Sequence, residues 1–175
     1  MPFRSCRIVL MAHCILNSNT RAQGLVVDSK LRGGAYMLVS EVLRLGYGIE
    51  QLPCPELALE GLFRRPMTKK DYELRGLREV CTKLLRGLVD NSLKPLVRDS
   101  IKVTAFIGVA GSPSCGVRYT HIDNPLSRQK GMGIFTEELV KALQRLGIKP
   151  LLLEWDFRRP YESTEEVIQV LERVL

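Results

Sequence analysis

Lys102-Val103-Thr104-Ala105-Phe106-Ile107-Gly108-Val109 runs through Ala110 into Gly111-Ser112-Pro113-Ser114-Cys115. The first eight residues have the Val-, Ile- and Phe-rich character of a strand buried in a parallel sheet. The segment after Ala110 is built as a turn and closes on a thiol. The arrangement recurs twice. Ile8-Val9-Leu10-Met11-Ala12 precedes Cys14, and Ile49-Glu50-Gln51-Leu52 precedes Cys54. If the three runs are parallel strands, all three thiols lie at strand C-termini, on the sheet edge where open α/β folds bind ligands.

The sequence around these runs supports that layout. After the first strand, Gly33-Gly34 leads into a helix over 35–45, with Met37, Leu38, Val42 and Leu45 near helical spacing. Strand two spans 48–52 and is stopped by Pro53 and Pro55. The irregular stretch 60–66 has the length and position of an active-site loop. Thr68, with Asp71 three residues on, caps a long helix whose stripe is Leu74, Leu77, Cys81, Leu84 and Leu88. Cys81 therefore reads as a packing thiol. Strand three is 102–109, a helix covers 136–146 up to Gly147, and strand four is 150–154. A last helix over 164–175 takes its cap from Ser163 or Thr164. Strands alternating with helices predict a single-domain, Rossmann-like, three-layer α/β fold over residues 1–175, its mainly parallel sheet flanked by helices.

Composition narrows the function classes. The 175 residues include no apolar run near the ~20 needed to span a bilayer. The N-terminal Met-Pro-Phe-Arg-Ser-Cys lacks the apolar stretch of a secretory signal. Five cysteines, an odd number in no small-scaffold spacing, do not form a disulfide framework, which predicts a cytoplasmic setting. The formal charge of +7 permits anionic partners, nucleic acid among them. Yet Arg64-Arg65, Lys69-Lys70, Arg75, Arg78, Lys83 and Arg86 are scattered among acids, as on solvated faces, without a basic-aromatic stripe. The charge is no argument for a nucleic-acid site.

Three thiols on one rim point to metal chemistry; the bland alternative is three unrelated cysteines near strand ends. Thiolate-only sites suit iron–sulfur clusters or zinc. Structural zinc takes four ligands, usually from paired C-x-x-C elements, and the sequence has none. His13 would point away from Cys14 in an extended segment. Cys6, ahead of the first strand, lies far from the edge. A [4Fe–4S] cluster on Cys14, Cys54 and Cys115 would leave one iron open to bind a soft atom such as sulfur.

The set Cys14, Cys54-Pro55-Glu56 and Ser112-Pro113-Ser114-Cys115-Gly116, ahead of Gly131-Met132-Gly133 and a helix, resembles the thiouracil desulfidase family. The resemblance reaches from Cys14 to Ile148. It implies a [4Fe–4S] enzyme that takes sulfur from a thiolated nucleobase, giving the oxo-base and hydrogen sulfide. It also implies that Cys14, Cys54 and Cys115 hold the cluster while Glu56 and Ser112 assist catalysis. Many members carry a second cysteine and Arg-Tyr-Asp-Gly after the first ligand. This chain has Asn17-Ser18-Asn19-Thr20-Arg21-Ala22-Gln23-Gly24 there, a divergent pocket loop.

Other residues have candidate roles. Asn17 and Asn19 can read a base edge, and Arg21 and Arg65 can neutralise an anionic substrate or the cluster. Ser114 can hydrogen-bond substrate or cluster sulfide, Tyr119 and His121 can stack on or protonate a base, and Trp155 can stand at the rim. Each has a bland counterpart in turn, surface or core packing. Rival functions are a cluster-dependent sulfur transferase acting on tRNA and a non-catalytic metal-binding module. The transferase usually needs ATP, and no phosphate-binding Gly-rich loop is present. The substrate, the oligomeric state and a fourth cluster ligand stay open at this level.

Overall fold

The computed structural model describes residues 3–26 and 28–175; Met1, Pro2 and Val27 lie outside the described residues. The strands in chain order are β1 (Arg7–Met11), β2 (Gly48–Gln51), β3 (Lys102–Val109), β4 (Tyr119–Thr120), β5 (Gln129–Lys130) and β6 (Leu151–Trp155). The α-helices are α1 (His13–Leu16), α2 (Tyr36–Arg44), α3 (Pro55–Glu60), α4 (Lys69–Leu74), α5 (Leu77–Leu88), α6 (Lys94–Arg98), α7 (Ile134–Arg145) and α8 (Pro160–Glu172).

Four strands form a parallel sheet in the order β2-β1-β3-β6. In its middle Leu10 lies between Glu50 and Phe106, and Ile107 between Met11 and Leu153. Val9, Leu10, Met11, Ala105, Phe106 and Ile107 are fully buried, as parallel strands covered on both faces must be. The chain leaves β1 for β2 on one side, then crosses back to β3 on the other. Right-handed crossovers then put α2 and α7 on opposite faces. Accordingly α2 packs with α8, and α5 with α7. The reversal of strand order falls between β1 and β3, and the crevice beyond their C-terminal ends is the binding position of such a sheet.

Several elements differ from the sequence reading. The long helix after Thr68 is two helices. Thr68 and Asp71 do form a capping box, but the helix stops at Arg75, and Gly76, at φ 79°, starts α5 in a new direction. Leu74, expected in the apolar stripe, is 80% exposed as a result. The buried stripe of α5 is Leu77, Cys81, Leu85 and Leu88, with Leu84 half-buried. A π-helical turn at Val89–Leu93 and α6 fill a stretch where no element was expected. Helix α8 begins at Pro160, not at Thr164, because proline at the first helical position costs no hydrogen bond. Ser163 and Thr164 lie inside that helix, their hydroxyls donating to the carbonyls of Arg159 and Pro160. Trp155 is fully buried and donates from Nε1 to Thr164 Oγ1 at 2.9 Å, so it is core and not rim.

Candidate functional site

Each thiol is placed by the residues around it. Cys14 sits in α1, the single helical turn that follows β1. Cys54 is the N-cap of α3; Pro55 opens that helix, and Leu57 N–H donates to Cys54 Sγ at 3.4 Å. Cys115 ends a tight loop in which Ser112 Oγ accepts from the N–H groups of Cys115, at 3.0 Å, and Ser114, at 3.3 Å. The loop folds back on its own strand. Val109 N–H donates to the Cys115 carbonyl at 2.9 Å, and a Cβ on Gly108 would lie 2.2 Å from that oxygen.

The start of α7 holds the loop from the other side. Ile134 N–H donates to the Pro113 carbonyl and Thr136 N–H to the Ser114 carbonyl, at 3.0 and 3.1 Å. Gly133 makes the approach possible, since a Cβ there would sit 2.3 Å from the Ser114 carbonyl. Buried Glu154 fixes the segment after Cys115, accepting at Oε1 from Val117 N–H (2.6 Å) and Arg118 N–H (2.7 Å).

Cys14, Cys54 and Cys115 line one cavity of about 370 Å³ beyond the C-terminal ends of β1 and β3. Burial pushes the Cys14 thiol up to about 12, with Arg21 pulling the other way. The Cys54 thiol is raised by burial and then by the Glu56 carboxylate. That of Cys115 is raised well above the ordinary value by burial and by the other two thiols. Without a cation to bind, these sulfurs keep their protons; thiolate binding to a metal releases them.

Glu56 enters the same cavity from the first turn of α3. Its Oε1 accepts from Ser114 Oγ at 2.6 Å, and its Oε2 from Tyr72 OH at 3.1 Å and Arg64 Nε at 3.2 Å. Burial and the Glu56 charge hold the Tyr72 phenol far above its ordinary value, so it stays a donor. Ser114 Oγ also lies 3.6 Å from Cys115 Sγ and 3.2 Å from Ser112 Oγ. The hydroxyl on the carboxylate is therefore that of Ser114, while Ser112 is one hydroxyl further back, engaged by the loop's own amides.

Arg21 lines the cavity with its guanidinium 3.4 Å from the centre of the Phe157 ring, and its buried Nη1 has no hydrogen-bond partner among the described residues. Arg128 closes another side, paired to Asp156 through Nη1–Oδ2 at 2.6 Å and Nη2–Oδ1 at 3.3 Å. His121 is also in the wall. So is His13: α1 is helical where an extended segment was expected, and His13 and Cys14 line the same cavity.

Asn17 and Tyr119 are not among the cavity-lining residues. The Asn17 side chain is spent capping the turn Ser18–Thr20, and Tyr119 is half-exposed on the β4–β5 hairpin. Arg65 is exposed; the buried arginine of that pair is Arg64. Cys6 is exposed and Cys81 buried in the α5 stripe, neither in the cavity wall. The sequence reading missed Arg64, Arg128, Asp156 and Phe157. The last two follow β6 at the edge already marked by the thiols, and that position was the signal available.

The donors fit a soft metal group, and Arg21 and Arg64 supply positive charge beside the thiols. Among the described residues, no three His, Cys, Asp or Glu side chains are gathered as the ligands of a metal ion. Sulfurs around one tetrahedral ion would stand about 3.8 Å apart, given bonds of about 2.3 Å.

Fold and site together define an α/β protein with a thiol-lined pocket at the switch point of its sheet. The family model described as "Putative 2-thiouracil desulfurase" matches residues 7–135, and the chain belongs to that family. A relative from Methanocaldococcus jannaschii, the uncharacterized protein MJ0003, is 31% identical over 93% of this chain and 97% of its own. The solved structure of the [4Fe–4S]-dependent thiouracil desulfidase TudS matches with a TM-score of 0.51 at 16% identity. That match covers 92% of this chain and 97% of the other, and it shows the fold. No helix among the described residues is long and apolar enough to cross a membrane.

Proposed function

We propose that this chain is a desulfidase that hydrolyses the carbon–sulfur bond of a thiolated nucleobase or related small thiocarbonyl compound. Thiocarbonyl and water become carbonyl and hydrogen sulfide. The reading places a [4Fe–4S] cluster on Cys14, Cys54 and Cys115, within one domain over residues 1–175. The observation that carries it is the meeting of three thiols, the Glu56 carboxylate and the Ser114 hydroxyl in one small cavity. Family membership and the cluster dependence of the TudS enzyme support it. When bound, a cluster held by three cysteines supplies an open, Lewis-acidic iron with affinity for sulfur.

The chain's own residues do the rest. Glu56 takes a proton from the water that attacks the thiocarbonyl carbon and returns it to the departing sulfur. The second proton leaves the new hydroxyl as the carbonyl forms and the carbon–sulfur bond breaks. Ser114 donates to Oε1 and leaves that carboxylate oxygen one direction for the water. Ser112 holds the loop so that Ser114 and Cys115 keep their places. Arg21, stacked on Phe157, forms a flat polar wall against which a planar base can lie.

The test is sulfide release from 2-thiouracil by the anaerobically reconstituted protein, with uracil as the co-product. Equal amounts of sulfide and uracil support the reading. A cluster-loaded protein that releases no sulfide from thiolated pyrimidines, thiolated purines or small thiocarbonyl compounds contradicts it and favours a metal-binding module.

A further inference from the structure

Arg64 has a buried guanidinium, its side chain 3% exposed, in the segment between α3 and α4. Taking a charge out of water is costly unless every donor is met. Here four of its five N–H donors are met by the carboxylate, a thiol and two backbone carbonyls close to the site. Nε donates to Glu56 Oε2 at 3.2 Å and Nη1 to the Gly61 carbonyl at 3.1 Å. Nη2 donates to the Thr20 carbonyl at 2.8 Å and stands 3.9 Å from Cys54 Sγ. One rigid planar group thus touches the carboxylate, a cavity thiol and the loop that runs on from Cys14.

We infer that Arg64 is the positioning residue of this site: it aims the Glu56 carboxylate into the cavity and sets the electrostatic environment of the Cys54 sulfur. The inference rests on the catalytic reading of Glu56. Glu56 has three donors and four acceptor directions, and Arg64 is the charged donor among them. Losing it leaves each carboxylate oxygen one neutral hydroxyl donor, Tyr72 on Oε2 and Ser114 on Oε1, and removes the charged contact that fixes the plane of the group. A lysine keeps the charge but, as a single point donor, cannot span Glu56, Thr20, Gly61 and Cys54 together. Positive charge and N–H donors near a ligand sulfur raise a cluster's reduction potential.

The experiment is a double-mutant cycle on the reconstituted protein with Arg64→Gln, Arg64→Lys and Glu56→Gln, read by turnover and by spectroelectrochemical midpoint potential. Arg64→Gln should lower kcat about 10- to 100-fold, with KM changed less than about threefold. In the Glu56→Gln background the same change should cost less than about threefold, because Arg64 acts through Glu56. Arg64→Lys should recover only part of kcat. The potential should fall in Arg64→Gln and fall less in Arg64→Lys. If Arg64→Gln alone folds poorly, Arg64→Lys, which keeps the buried charge beside Glu56, takes its place in both backgrounds and completes the cycle. An equal kcat loss in both backgrounds overturns the positioning role and leaves the function intact. Unchanged turnover in Glu56→Gln overturns the functional reading of Glu56 and with it this role. An unchanged potential in Arg64→Gln overturns the link to Cys54.

Discussion

Glu56 is where chemistry and structure meet at the scale of one residue. A general base typically contributes about 10²–10⁴-fold, so Glu56→Gln should lower turnover by that order while leaving iron content unchanged. Ser114→Ala should cost more turnover than Ser112→Ala, because Ser114 is the hydroxyl that meets the carboxylate. Steady-state rates and iron analysis of the three variants check this; a larger loss in Ser112→Ala would reverse the roles. The sequence carried Cys14, Cys54, Cys115 and Glu56 because each stands in a short motif after a strand. It did not carry Arg64. Arg64-Arg65 looks like a solvated pair, and only the path of the chain after α3 turns one guanidinium inward and leaves the other outside.

At the scale of elements, Gly133 decides how the thiol loop and α7 fit. Its own φ of −71° suits any residue, so the cost of Gly133→Ala is steric: the new Cβ meets the Ser114 backbone, not a movable side chain. The variant should lose about 1–3 kcal/mol of stability. Gly87→Ala, on α5 with open space around it, should be neutral or gain about 0.5–1 kcal/mol. Denaturant titration of both separates the cases, and equal stability of the two variants would contradict the tight fit. In the sequence, Gly131-Met132-Gly133 is too short to say whether it serves a ligand or a contact. The fold makes it a contact.

The α5–α7 seam carries a pH prediction. Arg78 pairs with Glu73, Glu137 and Glu138, and Lys69 with Glu137. Burial would raise the Glu137 and Glu138 carboxyls, but their lysine and arginine partners outweigh it and hold both below the ordinary value. Their contribution is complete above the unfolded value of about 4.3 and is lost as pH falls through the lower folded values. Wild-type Tm should therefore drop more between about pH 5 and pH 3 than that of Arg78→Met. Parallel Tm profiles would contradict this. The break at Gly76 that sets α5 on its course was not legible. Leu74 fits the apolar spacing of the following helix, and only a left-handed glycine between them puts it outside.

At the scale of the whole molecule, the strand order puts Cys14 and Cys115 on either side of the switch point, with Cys54 brought in beside them by β2. That much was legible, because three buried runs each ending in a thiol-bearing turn leave few parallel arrangements. The β4–β5 hairpin, which supplies Arg128 and His121 to the cavity wall, was not: its paired strands are two residues each and carry no periodic signal. The central claim is that three thiols hold a multi-iron cluster and not a single ion. Iron and acid-labile sulfide per chain after anaerobic reconstitution test it most directly, in the wild type, in Cys54→Ser and in the Cys6→Ser/Cys81→Ser pair. The wild type and the pair should each hold about four iron and about four sulfide, with absorbance near ~400 nm, and Cys54→Ser should hold far less. One zinc and no sulfide per chain, or full iron in Cys54→Ser, would contradict it.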